Sequence, residues 1–316
     1  MTAQSTIFGT ITNSTTITQT ATYTVTPSIG SCTGSTFTVV ATINPTPTVN
    51  SISNQVLCNG ATSNAVTFGG TVAGTTYFWT NSNTAIGLIA NGSGNISTFT
   101  ATNVTNAPIV STITVTPIYS NGGQSCSGTP RTFTITVNPS AQVNAIANQT
   151  VCNGTNTMAI AFATTTTGGT TTYAWTNSNT AIGLVAAGTG NIPVFTPTNS
   201  GTAPITATIS VIATANGCSR TAETFTITVN PSPAVAFSPA NQTICSGDTS
   251  ALVNLSSTTA GATFTWTAVQ PAGITGVATS GTNTIPTQTL VNTTNAPITI
   301  TYVAVATTND ASACAG

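Results

Sequence analysis

Apolar and polar residues alternate with a period of two along most of the chain. In Thr132–Val137, the apolar residues Phe133, Ile135 and Val137 are each preceded by a threonine. The same alternation recurs in 224–229. Strict alternation of aromatic and β-branched residues with polar ones is typical of half-buried strands. Gly, Asn and Pro separate these runs, and no stretch of useful length has helical periodicity, so we predict an all-β protein.

The chain repeats itself with a period of about 92–94 residues. Asn-Pro pairs occur at 44–45, 138–139 and 230–231, and each closes a strand of the TFTITVNP type. Short cysteine-containing motifs follow these pairs, and a Trp-Thr pair lies further on in each complete repeat. Self-similarity at a fixed period indicates a repeat architecture. We predict a partial repeat and three further repeats, with these bounds: 1–45 (the back half of a repeat), 46–139, 140–231 and 232–316, the last without its final strand.

Each repeat has the length and pattern of an immunoglobulin-like sandwich, with about seven short strands and one tryptophan on an early-middle strand. The tryptophans are Trp79, Trp175 and Trp266. They could form a platform for sugar stacking, but their recurrence at one strand position favours core residues. Short Asn-Pro-x-Pro linkers would stiffen the joints, because proline fixes φ. We therefore expect tandem β-sandwiches arranged as a rod.

The order of motifs, NPxPxV, NQxxCxG, YxWTN, TITVTP and TFTITVNP, resembles the PKD-like, Ig-like repeats of very large cell-surface proteins of Bacteroidota. Some of those proteins are gliding or adhesion filaments exported by type IX secretion. The resemblance covers essentially the whole chain. It implies an extracellular repeat array that acts as a stalk, adhesin or fibre.

Charge is almost absent, since only 2% of the 316 residues are Asp, Glu, Lys or Arg and there is no histidine. An ordinary soluble domain has roughly 25% charged residues. A nucleic-acid partner needs clustered Lys and Arg, which this chain lacks. No apolar run is long enough to span a membrane. The composition fits a protein exposed to a variable outside medium.

Seven cysteines allow two regular disulfide patterns. Pairing within repeats gives 58–126, 152–218 and 245–314, and leaves Cys32 to a partner upstream or in another chain. Pairing across repeat boundaries gives 32–58, 126–152 and 218–245. We expect pairing within repeats, because each small sandwich gains from a closed loop of roughly 65 residues, worth about 3–4 kcal/mol. The expected disulfide cysteines are thus Cys58, Cys126, Cys152, Cys218, Cys245 and Cys314.

Candidate chemistry is sparse. Nucleophilic catalysis by Ser or Cys needs a base, and there is no histidine to act as one. The three carboxylates, Glu223, Asp248 and Asp310, lie at non-equivalent positions, so neither a glycosidase pair nor a calcium site is expected. The sequence contains no CxxC motif, so a zinc site is not expected. We expect no catalytic residue, no metal and no cofactor.

Two functions remain open. The first is a non-catalytic structural stalk, fibre or filament at the cell surface, whose partners are neighbouring repeats or further copies of the chain through strand donation. The alternative is an adhesin that binds glycan or protein through the loops of one repeat. The near-identity of TNSNTAIGL in two repeats favours the stalk. The third repeat departs from the pattern at 268–276, which makes that loop the candidate binding surface.

Overall fold

A computed structural model describes residues 6–310 and 312–316, and it confirms the all-β prediction. The described residues form strands and two single-turn 3-10 helices, with no α-helix among them. The chain divides into two compact units. The first contains the residues up to Ala141 together with Thr166–Thr170 and Ala215–Cys218, and the second contains the remainder.

Ten strands precede the boundary at Ala141. They are β1 (Gln19–Val25), β2 (Ser28–Ile29), β3 (Cys32–Thr33), β4 (Phe37–Ile43), β5 (Gln55–Cys58), β6 (Thr76–Asn81), β7 (Asn91–Ser93), β8 (Ile109–Asn121), β9 (Gln124–Ser127) and β10 (Arg131–Asn138). The 3-10 helix Thr84–Ile86 follows β6.

Fourteen strands follow the boundary. They are β11 (Gln149–Cys152), β12 (Thr171–Asn177), β13 (Ala187–Thr189), β14 (Ile205–Ala215), β15 (Cys218–Ser219), β16 (Glu223–Asn230), β17 (Ala236–Ser238), β18 (Val253–Ser256), β19 (Thr263–Ala268), β20 (Ile274–Thr275), β21 (Ser280–Thr282), β22 (Thr284–Ile285), β23 (Val291–Asn292) and β24 (Tyr302–Thr307). The second 3-10 helix is Thr180–Ile182.

The TFTITVNP strands lie inside their sheets. Strand β10 lies between β5, to which it is parallel, and β8, to which it is antiparallel, in the order β5-β10-β8-β6-β7. Strand β16 occupies the same place in the order β11-β16-β14-β12-β13. Their apolar residues are buried because a strand with two neighbours and one covered face can point every second side chain into the core.

We call the repeats 46–139, 140–231 and 232–316 the first, second and third repeats. In the first repeat, the layer that packs against the sheet of β10 is mostly extended chain, with few residues paired in regular strands. Isolated bridges join Thr62 to Thr100 and Val66 to Ile96. Val66 and Ile96 nevertheless belong to the same core cluster as the residues of β10. Backbone hydrogen bonds such as that from the N–H of Val66 to the carbonyl of Ile96 at 2.8 Å join the layer internally, and apolar packing joins it to the sheet of β10.

All three tryptophans lie in the core. Trp79 and Trp175 are 5% exposed and Trp266 is 2% exposed. The indole N–H of Trp266 donates to the carbonyl of Thr284 at 2.9 Å, whereas those of Trp79 and Trp175 have no partner among the described residues. A tryptophan enclosed in this way serves packing and offers no stacking face to a sugar.

A glycine on the neighbouring strand lies directly against each indole. Gly92 faces Trp79, Gly188 faces Trp175 and Gly281 faces Trp266. A Cβ at any of these glycines would overlap the ring carbons of the indole. The Trp-Gly pair therefore sets how closely the edge strand covers the core.

The repeated sequence TNSNTAIGL is explained by local structure. The Asn81 side chain donates to the carbonyl of Leu88 at 2.8 Å, and the Asn83 side chain caps the 3-10 helix by accepting from the N–H of Ala85 at 3.0 Å. Gly87 ends that helix with φ of 92°, a conformation that favours glycine. Equivalent bonds form at Asn177 and Asn179. The motif folds a tight loop that buries Ile86 or Ile182.

The third repeat is assembled differently. Its strands form two three-stranded sheets, β17-β18-β22 and β21-β19-β24, and a two-stranded one, β20-β23. Its core cluster contains Trp266, Phe264 and Ile285, but no described strand takes the place of β10 or β16. Residues of β18 and β19, among them Leu255 and Trp266, share this core cluster, so the two three-stranded sheets pack against each other.

We predict that Gly188→Ala lowers the stability of its repeat by about 2 kcal/mol, because the added methyl group must displace the Trp175 ring in a packed core. Urea unfolding followed by tryptophan fluorescence measures the change. Gly9→Ala is the matched control, since no atom lies within 4 Å of a Cβ added there. Equal unfolding midpoints for the two variants would refute the packing role of Gly188.

Candidate functional site

The cysteines fall into two structural classes. Front cysteines follow the NQxx segment that opens a repeat, and they are Cys58, Cys152 and Cys245. Back cysteines lie late in their repeats, and they are Cys32, Cys126, Cys218 and Cys314; the first three are followed by the strands β4, β10 and β16. In the first repeat the front cysteine lies beside the last residue of β10, whereas the back cysteine pairs with Tyr119 near the other end of the sheet.

Each front cysteine opens the same turn. The carbonyl of Cys58 accepts from the N–H of Ala61 at 3.0 Å, that of Cys152 from Thr155 at 3.0 Å, and that of Cys245 from Asp248 at 3.1 Å. Cys58 is also opposite Asn138 in the parallel pairing of β5 with β10. The front cysteine therefore lies beside the last residue of the final strand, where one repeat passes into the next.

The back cysteine Cys218 is presented by a tight turn. Asn216 has φ of 50° and Gly217 has φ of 78°, as a two-residue turn of the I′ type requires. Asn and Gly tolerate these angles better than other residues do. The turn joins β14 to β15 and holds Cys218 at the end of the long β14 strand.

Two disulfides join a front cysteine to the back cysteine of the following repeat. Cys58 is bonded to Cys218 and Cys152 to Cys314, with Cα atoms 5.4 Å apart in both pairs. The linked residues are 160 and 162 positions apart in sequence. We call each of these pairs a clasp.

Pairing within repeats, as in 58–126, 152–218 and 245–314, is therefore wrong for this structure, and so is pairing as 32–58, 126–152 and 218–245. The register of the sheet gives the reason. Cys58 is level with the end of β10 that pairs with Ile109, whereas Cys126 pairs with Tyr119, ten residues further along β8. Ten residues of strand span about 33 Å, and a disulfide needs Cα atoms within about 7 Å.

Polar contacts in the first unit surround the clasp of Cys58 and Cys218. The Asn216 side chain donates to the carbonyl of Gly168 at 3.1 Å, and the N–H of Thr167 donates to the carbonyl of Asn106 at 2.7 Å. Asn138 donates to the carbonyl of Asn216 at 3.5 Å. These bonds join the 166–170 and 215–218 segments to each other and to Asn106 and Asn138 beside the disulfide.

Cys32, Cys126 and Cys245 are free in the structure, with Cys32 and Cys245 exposed and Cys126 partly exposed. Two of the three are back cysteines and one is a front cysteine. None of them has its complementary class at the corresponding position one repeat away within the 316 residues. The expected external partner of Cys32 stays a prediction.

Two of the five charged groups illustrate the structural contacts that such side chains make in this chain. Arg131 donates to the carbonyl of Val49 at 3.3 Å, and Glu223 accepts from the Gln142 side chain at 3.4 Å. No group of three or more His, Cys, Asp or Glu residues with metal-binding geometry occurs in the part of the chain that the structure describes. None of its helices is both apolar and long enough to cross a membrane.

The candidate loop at 268–276 begins at the last residue of β19 and includes the short strand β20, which pairs with β23. Val269 is 82% exposed, and a shallow depression of about 400 Å³ is lined by Ala268, Val269 and Pro271 on one side and Thr299 and Thr301 on another. The loop is closed by a bond from the Gln270 side chain to the carbonyl of Ile274 at 2.9 Å. It presents apolar and hydroxyl groups and no charge.

Comparison with known proteins gives a family match to part of the chain. The PKD-like domain family matches residues 1–47 and 242–316. No curated protein matches the sequence. Together with the sheet topology, the family match supports a PKD-like or Ig-like repeat protein.

Solved structures with related architecture include extracellular cadherin domains 1–5 of protocadherin gamma B2 (14% identity, 90% of this chain and 62% of that chain, TM-score 0.37). A second example is mouse cadherin-23 EC22–24 (11% identity, 86% of this chain and 96% of that chain, TM-score 0.41). A third is sidekick-1 immunoglobulin domains 1–5 (11% identity, 82% of this chain and 55% of that chain, TM-score 0.32). The chain thus spans less than two thirds of the protocadherin and sidekick-1 structures.

We predict that proteolytic mapping without reduction recovers the linked pairs 58–218 and 152–314, and that alkylation labels the three free thiols, Cys32, Cys126 and Cys245. Cys218→Ser should lower the free energy of unfolding by up to about 5 kcal/mol, because a closed loop of some 160 residues is lost from the unfolded chain.

Cys126→Ser is the matched control and should leave the unfolding midpoint unchanged, because Cys126 has no disulfide partner. Recovery of a linked 58–126 peptide, or equal destabilisation by the two variants, would contradict the clasp.

Proposed function

We propose that this chain is a structural segment of an extracellular repeat array, a non-catalytic stalk, fibre or filament at a cell surface. The observation that carries the proposal is the pair of clasps, each of which ties the opening of one repeat to the close of the next. A disulfide placed in this way resists separation of consecutive repeats. Such bonds persist in oxidising surroundings outside the cytosol.

The two loops closed by the disulfides overlap in sequence, which determines how the chain carries a pulling force. One disulfide closes residues 58–218 and the other closes 152–314, so residues 152–218 belong to both loops. A force applied to the chain ends is transmitted through sulfur–sulfur bonds past most of the folded sequence. Covalent bonds thus share the load with the hydrogen-bonded sheets.

The nearly uncharged surface suits the same role. With a net charge of −1 and no histidine, few groups titrate near neutral pH or respond to salt. The PKD-like match supports a PKD-like repeat, and the order of the sequence motifs is what suggests the large surface proteins of Bacteroidota, including gliding or adhesion filaments. We include that assignment, and self-association into a filament, in the proposal.

Single-molecule pulling from the chain ends tests the mechanical proposal. Unfolding of the oxidised chain should extend only residues 1–58, 152–218 and 314–316, about 125 residues, whereas the reduced chain extends all 316. At about 3.5 Å per residue the final lengths are about 440 Å and about 1,100 Å. Equal lengths before and after reduction would show that the clasps bear no load.

The second candidate function is an adhesin that binds through the 268–276 loop of the third repeat. The observation that favours it is the exposed Val269 beside a shallow depression, in the part of the repeat that departs most from its neighbours. Apolar and hydroxyl groups of this kind suit the face of a neutral glycan or an uncharged peptide. A stalk does not need an exposed apolar loop that differs from one repeat to the next.

A glycan array probed with the oxidised full chain discriminates between the two functions. An adhesin should retain a defined set of glycans, and Val269→Ser should reduce that binding at least tenfold because an apolar contact is lost. Val185→Ser is the matched control, since Val185 is a similarly exposed valine in the preceding repeat. The stalk interpretation expects no glycan to be retained by either protein.

A further inference from the structure

Asn-Gly pairs are places where an asparagine can modify itself. The peptide nitrogen of the glycine attacks the side-chain carbonyl carbon of the asparagine, an imide ring closes, and ammonia leaves with the proton of that nitrogen. Water then opens the ring to aspartate or, at its other C–N bond, to isoaspartate. Glycine favours ring closure because it has no side chain to obstruct it. The pairs in this chain are at 59–60, 91–92, 121–122, 153–154 and 216–217.

The two pairs in the front turns have both reacting groups in hydrogen bonds. The N–H of Gly60 donates to the carbonyl of Ala101 at 2.8 Å, and the side-chain oxygen of Asn59 accepts from the N–H of Asn103 at 2.8 Å. The pair at 153–154 makes the equivalent bonds, both at 2.9 Å. Ring closure must break both bonds, so the fold protects these two asparagines.

Two further pairs are held by strand pairing. Residues 91 and 92 both belong to β7, and Gly92 lies against the ring of Trp79. Asn121 is the last residue of β8 and pairs with Gln124 of β9. Ring closure changes the backbone angle ψ of the asparagine, and the pairing of a strand restricts that angle. These asparagines are therefore also held away from the reactive conformation.

The pair Asn216-Gly217 has neither kind of protection. Both residues lie in the turn between β14 and β15, outside any strand, and both are exposed. The N–H of Gly217 and the side-chain oxygen of Asn216 have no hydrogen-bond partner among the residues that the structure describes. The attacking nitrogen and the carbonyl group that it attacks are both unoccupied.

We propose that Asn216 is a self-modification site, which converts to aspartate or isoaspartate in the folded protein ahead of the other four Asn-Gly asparagines. The reaction needs only water and replaces an amide with a carboxylate. Because one negative charge is added, the net charge of the chain changes from −1 to −2. The site goes beyond the proposed stalk role and does not depend on it.

The modification acts on a contact of the first unit, beside the clasp of Cys58 and Cys218. The side-chain N–H₂ of Asn216 donates to the carbonyl of Gly168 at 3.1 Å. An ionised carboxylate has no hydrogen to donate, so this bond is lost and two oxygen atoms face each other. Isoaspartate also lengthens the backbone inside a two-residue turn. The 166–170 segment consequently loses one of its attachments.

The disulfide keeps the altered segments together. Cys218 directly follows the turn, is 2% exposed and is bonded to Cys58. The hydrogen bond from Thr167 to Asn106 does not involve the modified residue. The modification therefore loosens the 166–170 segment without separating it from the rest of the unit.

The first test follows the modification in the oxidised full chain. The chain is kept in mildly alkaline buffer, and peptide mapping by mass spectrometry measures how fast each asparagine becomes a carboxylic acid. Asn216 should convert about tenfold faster than Asn59 or Asn153, because those residues must first lose two hydrogen bonds. The reduced chain unfolded in guanidinium chloride is the control, in which all the Asn-Gly pairs should convert at similar rates.

Two results of this experiment would overturn the proposal. One is conversion of any other asparagine of the folded chain as fast as that of Asn216. The other is an unmodified Asn216 in the folded chain after the unfolded chain has converted completely.

A pair of variants tests the consequence of the modification. Asn216→Asp should speed hydrogen exchange in 166–170 about fivefold, because the bond to the carbonyl of Gly168 is lost. Aspartate tolerates the positive φ of this position, so the variant keeps the turn. Asn121→Asp is the matched control, since it adds the same charge at the turn between β8 and β9 and should leave exchange in 166–170 unchanged. Equal exchange in the two variants would contradict the loosening of this segment.

Discussion

The final strand of each complete repeat, β10 or β16, is the element on which the rest of the repeat depends. It contributes three buried apolar side chains to the core and backbone hydrogen bonds to two neighbouring strands. Two asparagines from earlier loops also hydrogen-bond to its backbone. In the first repeat Asn54 accepts from the N–H of Thr134, and Asn103 donates to the carbonyl of Val137. Burial of alternate side chains and pairing on both edges reinforce each other, since a slip of one residue would turn every apolar group outward.

The same strand determines where the cysteines can reach. Because β10 separates Cys126 from the front turn of its own repeat, the two cysteines of one repeat lie at opposite ends of the sheet. Each cysteine can therefore form a disulfide only with a cysteine of another repeat. The clasp follows from strand order and needs no special recognition beyond the polar contacts around Asn216 and Thr167.

Much of this architecture could be predicted from the alternation of Thr with Phe, Ile and Val, because that pattern is local and its period is two. The core positions of the tryptophans also follow from recurrence at one strand position. The disulfide pairing could not be obtained in this way, since it depends on which strand lies beside which. The signal was nevertheless present: a long strand, 131–138, lies between Cys126 and the repeat boundary. The paired asparagines were missed because asparagine in a loop is usually a turn former, and a bond to a strand some 30 or 80 residues away leaves no local trace.

The third repeat shows what the final strand contributes by differing from the other two. In it residues 242–245 and 298–301 lie outside any sheet, while the Trp266 core, the front turn at Cys245 and the Asn292 loop form. The core and turns of this repeat are thus formed by residues before 307. In the first repeat that strand ends beside Cys58, a clasp residue.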